Sequence, residues 1–340
     1  METNTIKTYI EVPLAPAIPG LRFRLFQGEA DFPNLLAAIN TAKQADQSER
    51  ADTIEDIRKN YSHLVNCDPY RDVLMAEVDG CVVGYSRLSW HIDETSKERI
   101  YSSFGFIHPE WRRKGIGRAM LRYNQAAIRK LADQHPRDQE CWFESFCQDT
   151  EIENESLLQQ EGYTAVRHEF SMVRPDLENI PDRTLPEGLE VRPVKPEERR
   201  AVWDAAQEAF RDHWGFVAQT EEDYASWRED RNYQPELWQV AWEGDQVAGA
   251  VQNYIDHPEN AEYHRLRGYT EDIFTRRPWR KRGLAHALIA CSLRLLKEKG
   301  MQEASLGVDT ENLSGALRIY ESMGFKVVKR FTTYRKKMED

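Results

Sequence analysis

The sequence predicts a mixed α/β protein of two tandem domains, each a twisted mixed sheet flanked by helices. Three recurring stretches predict it. The first is a glycine turn crowded with positive charge. "IHPEWRRKGIG" (107–117) and "RRPWRKRGLAHAL" (276–288) both place a Trp before a basic triplet, a Gly, an aliphatic residue, and Gly or Ala. Trp111 and Trp279 stand 168 positions apart, as do Gly115 and Gly283. The second is a hairpin: "EVDGCVVGY" (77–85) and "WEGDQVAGA" (242–250) read as strand, Gly-containing turn and strand. The third is a helix end with a capping Gly, an aromatic and a strand, in "LLQQEGYTAV" (157–166) and "YESMGFKVV" (320–328). The order is the same in both halves, so the repeating unit is a whole domain. A length of 340 residues suits two domains.

Each element has its own signal. The opening strands are "LRFRLF" (21–26) and "LEVRPV" (189–194). Amphipathic periodicity predicts helices over 31–45 and 53–64, then over 196–212 and 220–230 in the second half. The hairpin follows, then a fourth strand (100–107; 269–275), and then the glycine turn opens a long helix (115–133; 283–299). A fifth strand (140–147; 303–309), a further helix and a last strand close each unit. Between the halves "RPDLENIPDRTLPEGLE" (174–190) has three prolines and little periodicity, so it reads as a linker. The domains are thereby expected at 1–184 and 185–340.

Composition bounds the function. Hydrophobic residues make up 40% and charged residues 30%, enough apolar material for real cores. No stretch is long and apolar enough to span a bilayer, so no membrane partner is expected. The N-terminus lacks a signal peptide's basic head and apolar run. Cys67, Cys81, Cys141, Cys147 and Cys291 have no metal spacing and cannot all pair. A reducing cytoplasm fits these features, with no metal. A net charge of −11 disfavours nucleic-acid binding, which rests on phosphate neutralisation. The basic turns are local exceptions, and each needs a local anion to explain it.

Such a turn suits a pyrophosphate. A helix N-terminus leaves backbone N–H groups unpaired and carries partial positive charge, glycines permit close approach, and Arg and Lys add full charges. The nucleotide P-loop pattern and the three-glycine dinucleotide fingerprint are both absent. Arg112–Gly117 (RRKGIG) and Arg280–Ala285 (RKRGLA) resemble instead the acyl-CoA-binding motif (Q/R)-x-x-G-x-(G/A) of the GNAT acetyltransferase superfamily. The resemblance covers nearly the whole chain as two such domains. The tandem layout is similar to the mycothiol synthase type, in which the C-terminal domain is the active one.

The resemblance implies acetyl-CoA as co-substrate and a primary amine of a small molecule or peptide as acceptor, by direct attack. It implies a donor site in the second half at Phe274, Thr275, Arg280, Lys281, Arg282, Gly283, Leu284, Ala285 and Asn312. Asn312, Ala316 and Tyr320 in "DTENLSGALRIYESMGF" (309–325) match the family's N-x-x-x-A-x-x-x-Y pattern along one helix face. Tyr320 is then the acid for the leaving thiolate; its bland alternative is a core aromatic, and that of Asn312 a plain N-cap. In the fourth strand, "YTEDIF", Glu271 and Asp272 alternate between faces, and Glu271 is the provisional base. In the first half Tyr320 aligns with Leu158, Asn312 with Thr150 and Glu271 with Ser103. Arg112, Lys114, Gly115 and Gly117 nevertheless keep the turn, so that half is expected to bind acyl-CoA or only to pack, without catalysing. Asp212, His213 and Trp214 in "AFRDHWGF" (209–216) are acceptor-site candidates, with a packing Trp beside a helix-end His as the alternative. The rival reading of the whole chain is a non-catalytic acyl-CoA-binding interaction module. Monomer and homodimer stay equally open.

Overall fold

Asp79 (φ 49°) and Gly80 (φ 84°) both take left-handed backbone, the type I′ pairing whose twist matches that of the flanking strands. At the second hairpin only Gly244 (φ 58°) does so, at the first central position, as in a type II′ turn. From these two hairpins the sheets of a computed structural model are built, which describes residues 8–311 and 315–339. By contacts the chain forms two units. One holds the residues up to Val166 together with those from Thr332 onward, and the other runs from Arg167 to Phe331. The boundary read from the repeat, 184/185, follows sequence similarity and falls inside the second unit.

The first unit contains β1 (Tyr9–Ile10), β2 (Leu21–Leu25), β3 (Val73–Val78), β4 (Cys81–Ile92), β5 (Arg99–Ile107) and β6 (Cys141–Gln148). Neighbours pair antiparallel except β5 and β6, which run parallel across the helix between them. Its helices are α1 (Phe32–Ala45), α2 (Ile54–Ser62), α3 (Pro69–Asp72), α4 (Ile116–Ala132) and α5 (Ile152–Gln160). Thr53 caps α2 in a reciprocal box with Asp56. Ile116, Ala119 and Met120 of α4 pack on Phe23, Leu74 and Ala76 of the sheet.

The second unit repeats the plan. Its strands are β7 (Thr164–Arg174, from Arg167 onward in this unit), β8 (Glu190–Val191), β9 (Gln239–Glu243), β10 (Gln246–Tyr254), β11 (Arg267–Thr275) and β12 (Glu303–Asp309). The sheet order is β8-β9-β10-β11-β12-β7, with only β11 and β12 parallel. Its helices are α6 (Arg199–Phe210), α7 (Glu221–Glu229), α8 (His257–Glu262), α9 (Leu284–Glu298) and α10 (Ala316–Ser322). β8 is shorter than the expected 189–194 because Pro193 has no N–H to give the ladder. Helix α8, capped by Asp256 with Pro258 in its first turn, was not anticipated. Leu288, Ile289 and Leu293 of α9 are fully buried against the sheet. β13 (Lys326–Lys337) runs from the second unit into the first, where Met338 N–H donates to Cys141 O at 2.9 Å, beside β6. Cys141 and Cys147 share β6, and all five cysteines are free thiols. Among the described residues no helix is long and apolar enough to cross a membrane.

The first unit buries one charge cluster. Arg24, 1% exposed, holds Asp31 through two bonds of 2.7 Å and Glu77 through a third of 2.7 Å. Removing one partner of a buried pair leaves uncompensated charge, at a cost of about 3–5 kcal/mol. Arg24→Leu should lower the first unit's unfolding free energy by about that much. Urea titration followed by circular dichroism checks this; a midpoint unchanged from wild type would mean that the cluster is no more than neutral.

Candidate active site

Both glycine turns have one construction. After β11 a single 3₁₀ turn (Arg277–Trp279) buries Trp279, whose indole N–H donates to Glu243 at 3.2 Å. Lys281 (φ 62°) and Gly283 (φ 84°) then take left-handed backbone, and α9 begins at Leu284. Arg113 (φ 59°) and Gly115 (φ 91°) do the same before α4. The paired left-handed residues turn successive N–H groups toward one concavity at a helix start, which is an anion seat. A Cβ at Gly283 would meet nothing within 4 Å. At Gly117 it would make only ordinary contacts, with Leu157 at 3.5 Å and Ile107 at 3.9 Å, which is why Ala285 serves in the second copy.

The arginines expected to meet an anion are mostly committed elsewhere. Arg280 donates to Thr275 O at 3.0 Å and Ala209 O at 3.1 Å, tying the turn to the end of α6. Arg112 donates to Ile107 O at 3.1 Å and holds Asp46 with bonds of 2.5 and 2.7 Å. Arg282 reaches Glu187 O at 3.0 Å, and Lys114 lies over the Trp111 ring at 4.4 Å. Lys281 and Arg113, by contrast, are exposed and have no ion-pair or hydrogen-bond partner among the described residues. Arg113 was missed in the sequence, although it aligns with Lys281 at the same offset as the glycines. Phe274 is a core residue, edge-on to Phe210, and Leu284 is buried. Thr275 Oγ1 is buried without a partner at the end of β11, a polar atom available to a bound donor.

Strands β11 and β12 pair only from Arg267/Glu303 to Tyr269/Ser305 and then part. Glu271 reaches into the resulting gap and accepts from Gly307 N–H at 3.1 Å. One residue further, Val251 of β10 faces both Asp272 and Ile273, a β-bulge with Asp272 at φ 45°. Burial, the neighbouring Asp272 and Glu169 together push the Glu271 carboxyl up to about 8, with the Gly307 N–H opposing. Tyr320 of α10 is 7% exposed; burial and the Glu271 charge raise its hydroxyl well above the ordinary tyrosine value. The same carboxylate also raises Tyr254 on β10, after burial. Tyr320 thus lies within the field of the Glu271 carboxylate. Asn312 lies outside the described residues.

The acceptor candidates separate. Asp212 pairs with Arg277 and, at 3.6 Å, with Arg280, so it braces the glycine turn. Arg277 holds its carboxyl below the ordinary value. His213 packs edge-on against Phe210 at 4.8 Å, and burial lowers its imidazole. Trp214 lies under the Arg167 guanidinium at 5.4 Å. Arg167 itself bonds Asp309 at 2.6 Å and Glu311 at 2.8 Å. This β7–β12 cluster has no counterpart in the sequence reading.

In the first unit the corresponding cleft, about 340 Å³, is lined by Gly105, Ile107, Arg112 and Gly115 but also by Asp46, Glu151 and Glu153. β4 and β5 pair without a bulge from Gly84/Ile107 to Ile92/Arg99. Leu158 is core, and Ser103 is 5% exposed. Pro16 stands 3.4 Å from where a Gly115 Cβ would sit.

Residues 200–325 match the acetyltransferase (GNAT) family, and residues 69–164 match an acetyltransferase (GNAT) domain. A mycothiol acetyltransferase of Geodermatophilus obscurus is 27% identical over 259 residues, covering 75% of this chain and 79% of that protein. The crystal structure of a GCN5-related N-acetyltransferase from Sphaerobacter thermophilus superposes with a TM-score of 0.71 at 24% identity, over 94% of this chain and 96% of that one. A tandem GNAT protein from the clavulanic acid biosynthesis pathway does so at 0.64 and 16% identity, over 94% of this chain and all (100%) of that one.

Proposed function

The chain belongs to the acetyltransferase (GNAT) family as a tandem two-domain acyltransferase, and from that premise we propose that its second unit transfers acetyl from acetyl-CoA to a primary amine of a small molecule by direct attack. The observation that carries this reading is Glu271 in the gap between β11 and β12, with the buried Tyr320 within its field. The turn at Lys281–Gly283 would hold the donor's pyrophosphate, with Thr275 Oγ1 and the concave N–H groups beside it. Arg280 and Asp212 position that turn. The relatives' name supports a small-molecule acceptor.

The chemistry follows from the two groups. An ammonium cannot attack, so Glu271 accepts its proton, directly or through water. The amine nitrogen then bonds to the thioester carbon while the carbonyl electrons move to oxygen, which a backbone N–H of the bulged strand would stabilise. On collapse the carbon–sulfur bond breaks and the sulfur takes the Tyr320 hydroxyl proton. Burial keeps Tyr320 protonated, as an acid must be. In this reading the repeat over 185–340 is catalytic and the repeat over 1–184 is degenerate. The first cleft, with carboxylates on its wall and no acid or base, fits at most a non-catalytic binder.

A thiol-release screen of amines against acetyl-CoA tests the reaction class; acetyl-CoA that binds tightly but yields no acetyl-amine with any acceptor would leave only the binding module. The pH profile tests the base. Because Glu271 must be ionised, kcat/KM should rise with pH to a plateau with an apparent pKa near 8. Glu271→Gln should remove that limb and lower the plateau by about 10²-fold. The folded pKa lies above the unfolded one, so the stability this group contributes is full below about pH 4 and is lost as pH rises through about 8. A kcat/KM profile that is identical in wild type and Glu271→Gln would assign the base elsewhere.

A further inference from the structure

Around the gap between β11 and β12 the second unit gathers more carboxylates than acetyl transfer requires. Glu169 on β7 stands directly opposite Asp309 on β12 in the antiparallel register, an arrangement that destabilises a sheet unless the charge is offset. Arg167 offsets Asp309 and Glu311. Glu169 and Asp272 have neither an ion-pair nor a hydrogen-bond partner among the described residues. Both carboxylates are open to solvent, yet surrounding protein raises them both above the ordinary range, as happens on the wall of a concavity. A Cβ built at Gly307 would stand 3.8 Å from the Glu271 carboxylate, and Gly307 shares its strand face with Asp309, opposite Glu169, so Glu271 feels the charges of both Asp272 and Glu169. A second observation points to a ligand at this place. The Tyr320 hydroxyl, on a side chain 7% exposed and within the field of Glu271, has no hydrogen-bond partner among the described residues.

We infer that Glu169 is the specificity-determining residue for a cationic acceptor: it holds the organic ammonium at the mouth of the gap, and an acceptor bearing its own carboxylate is repelled. This rests on the acetyltransferase reading and adds to it a residue of β7, a strand that precedes the linker. Asp272 adds to the field, and Glu271 takes the proton that the held ammonium gives up. Arg167, two residues away, offsets the Glu169 charge only in part, because its two terminal nitrogens are bonded to Asp309 and Glu311.

Two probes separate charge from shape. L-phenylalaninamide and L-phenylalanine share the amine and the side chain and differ in the carboxylate. With the full chain and acetyl-CoA at pH 7, the amide should be favoured in kcat/KM by about tenfold or more, since like-charge juxtaposition is strongly disfavoured. That preference should shrink as salt rises from about 0.05 to 0.5 M. Glu169→Gln should raise KM for the amide about tenfold while kcat stays within about twofold, and should narrow the preference. Titration of both probes onto the CoA complex reads the seat without turnover. Amide binding that is lost in Glu169→Gln supports the seat even if neither probe is acetylated, in which case the reaction class fails and the seat stands. Equal use or equal binding of the two probes, no binding of either, or a Glu169→Gln variant indistinguishable from wild type overturns the inference.

Discussion

Gly283→Asp should abolish turnover, and Gly115→Asp should leave it largely intact. The two glycines occupy equivalent positions with nearly equal backbone, φ 84° and 91°. Aspartate is among the few residues that tolerate left-handed backbone, and a Cβ at Gly283 meets nothing within 4 Å. The second-unit variant should therefore fold, with its new carboxylate pointing into the anion seat. Two unit charges about 4 Å apart near a protein surface interact by about 4 kcal/mol, which is about a thousandfold in affinity. In the first unit the same substitution meets Pro16 at a tight but ordinary distance, beside a cleft whose wall already carries Asp46, Glu151 and Glu153. Steady-state thiol release with one accepted amine, after thermal melts confirm folding, is the measurement. Lost activity in a folded Gly115→Asp protein, with Gly283→Asp active, would reverse the assignment of the catalytic unit.

Tyr320→Phe should lower kcat by about 10²-fold with little change in acetyl-CoA affinity, the usual scale for a positioned general acid. The substitution is clean. The ring keeps its edge-on contact with Phe325 at 6.4 Å, and the hydroxyl that is lost has no partner among the described residues. Stability should consequently change by well under about 1 kcal/mol. Loss of rate without loss of melting temperature isolates the proton. A normal rate would reduce Tyr320 to packing and leave the thiolate to depart unprotonated or to take its proton from water.

The parts of this molecule that were legible in the sequence are those that local chemistry decides. The glycine spacing, the Gly-containing hairpins and the helix that carries Tyr320 all depend on residues close in the chain. What stayed hidden depends on residues far apart. "YTEDIF" contains neither Gly nor Pro, so nothing local announces a bulge at Asp272. Which basic side chains of a triplet remain free is decided by distant carbonyls such as Ala209 O, which take up Arg280 and leave Lys281. Glu169 was passed over because it sits before the linker, in what reads as the last strand of the first repeat. Helix α8 is the exception, since "DHPEN" carries an N-cap and an early proline that local rules could have found.

The path of β13 has a consequence for biosynthesis. The first unit takes residues 332–337 as the strand beside β6, yet a ribosome makes β6 some 180 positions earlier. Until that late segment emerges, β6 presents an open row of N–H and C=O groups, the kind of edge on which nascent chains pair wrongly. Domains made in tandem commonly complete themselves in order of synthesis. Here the half translated first is the half finished last, and a chaperone that binds extended strands has its natural target at Cys141–Gln148 during that interval.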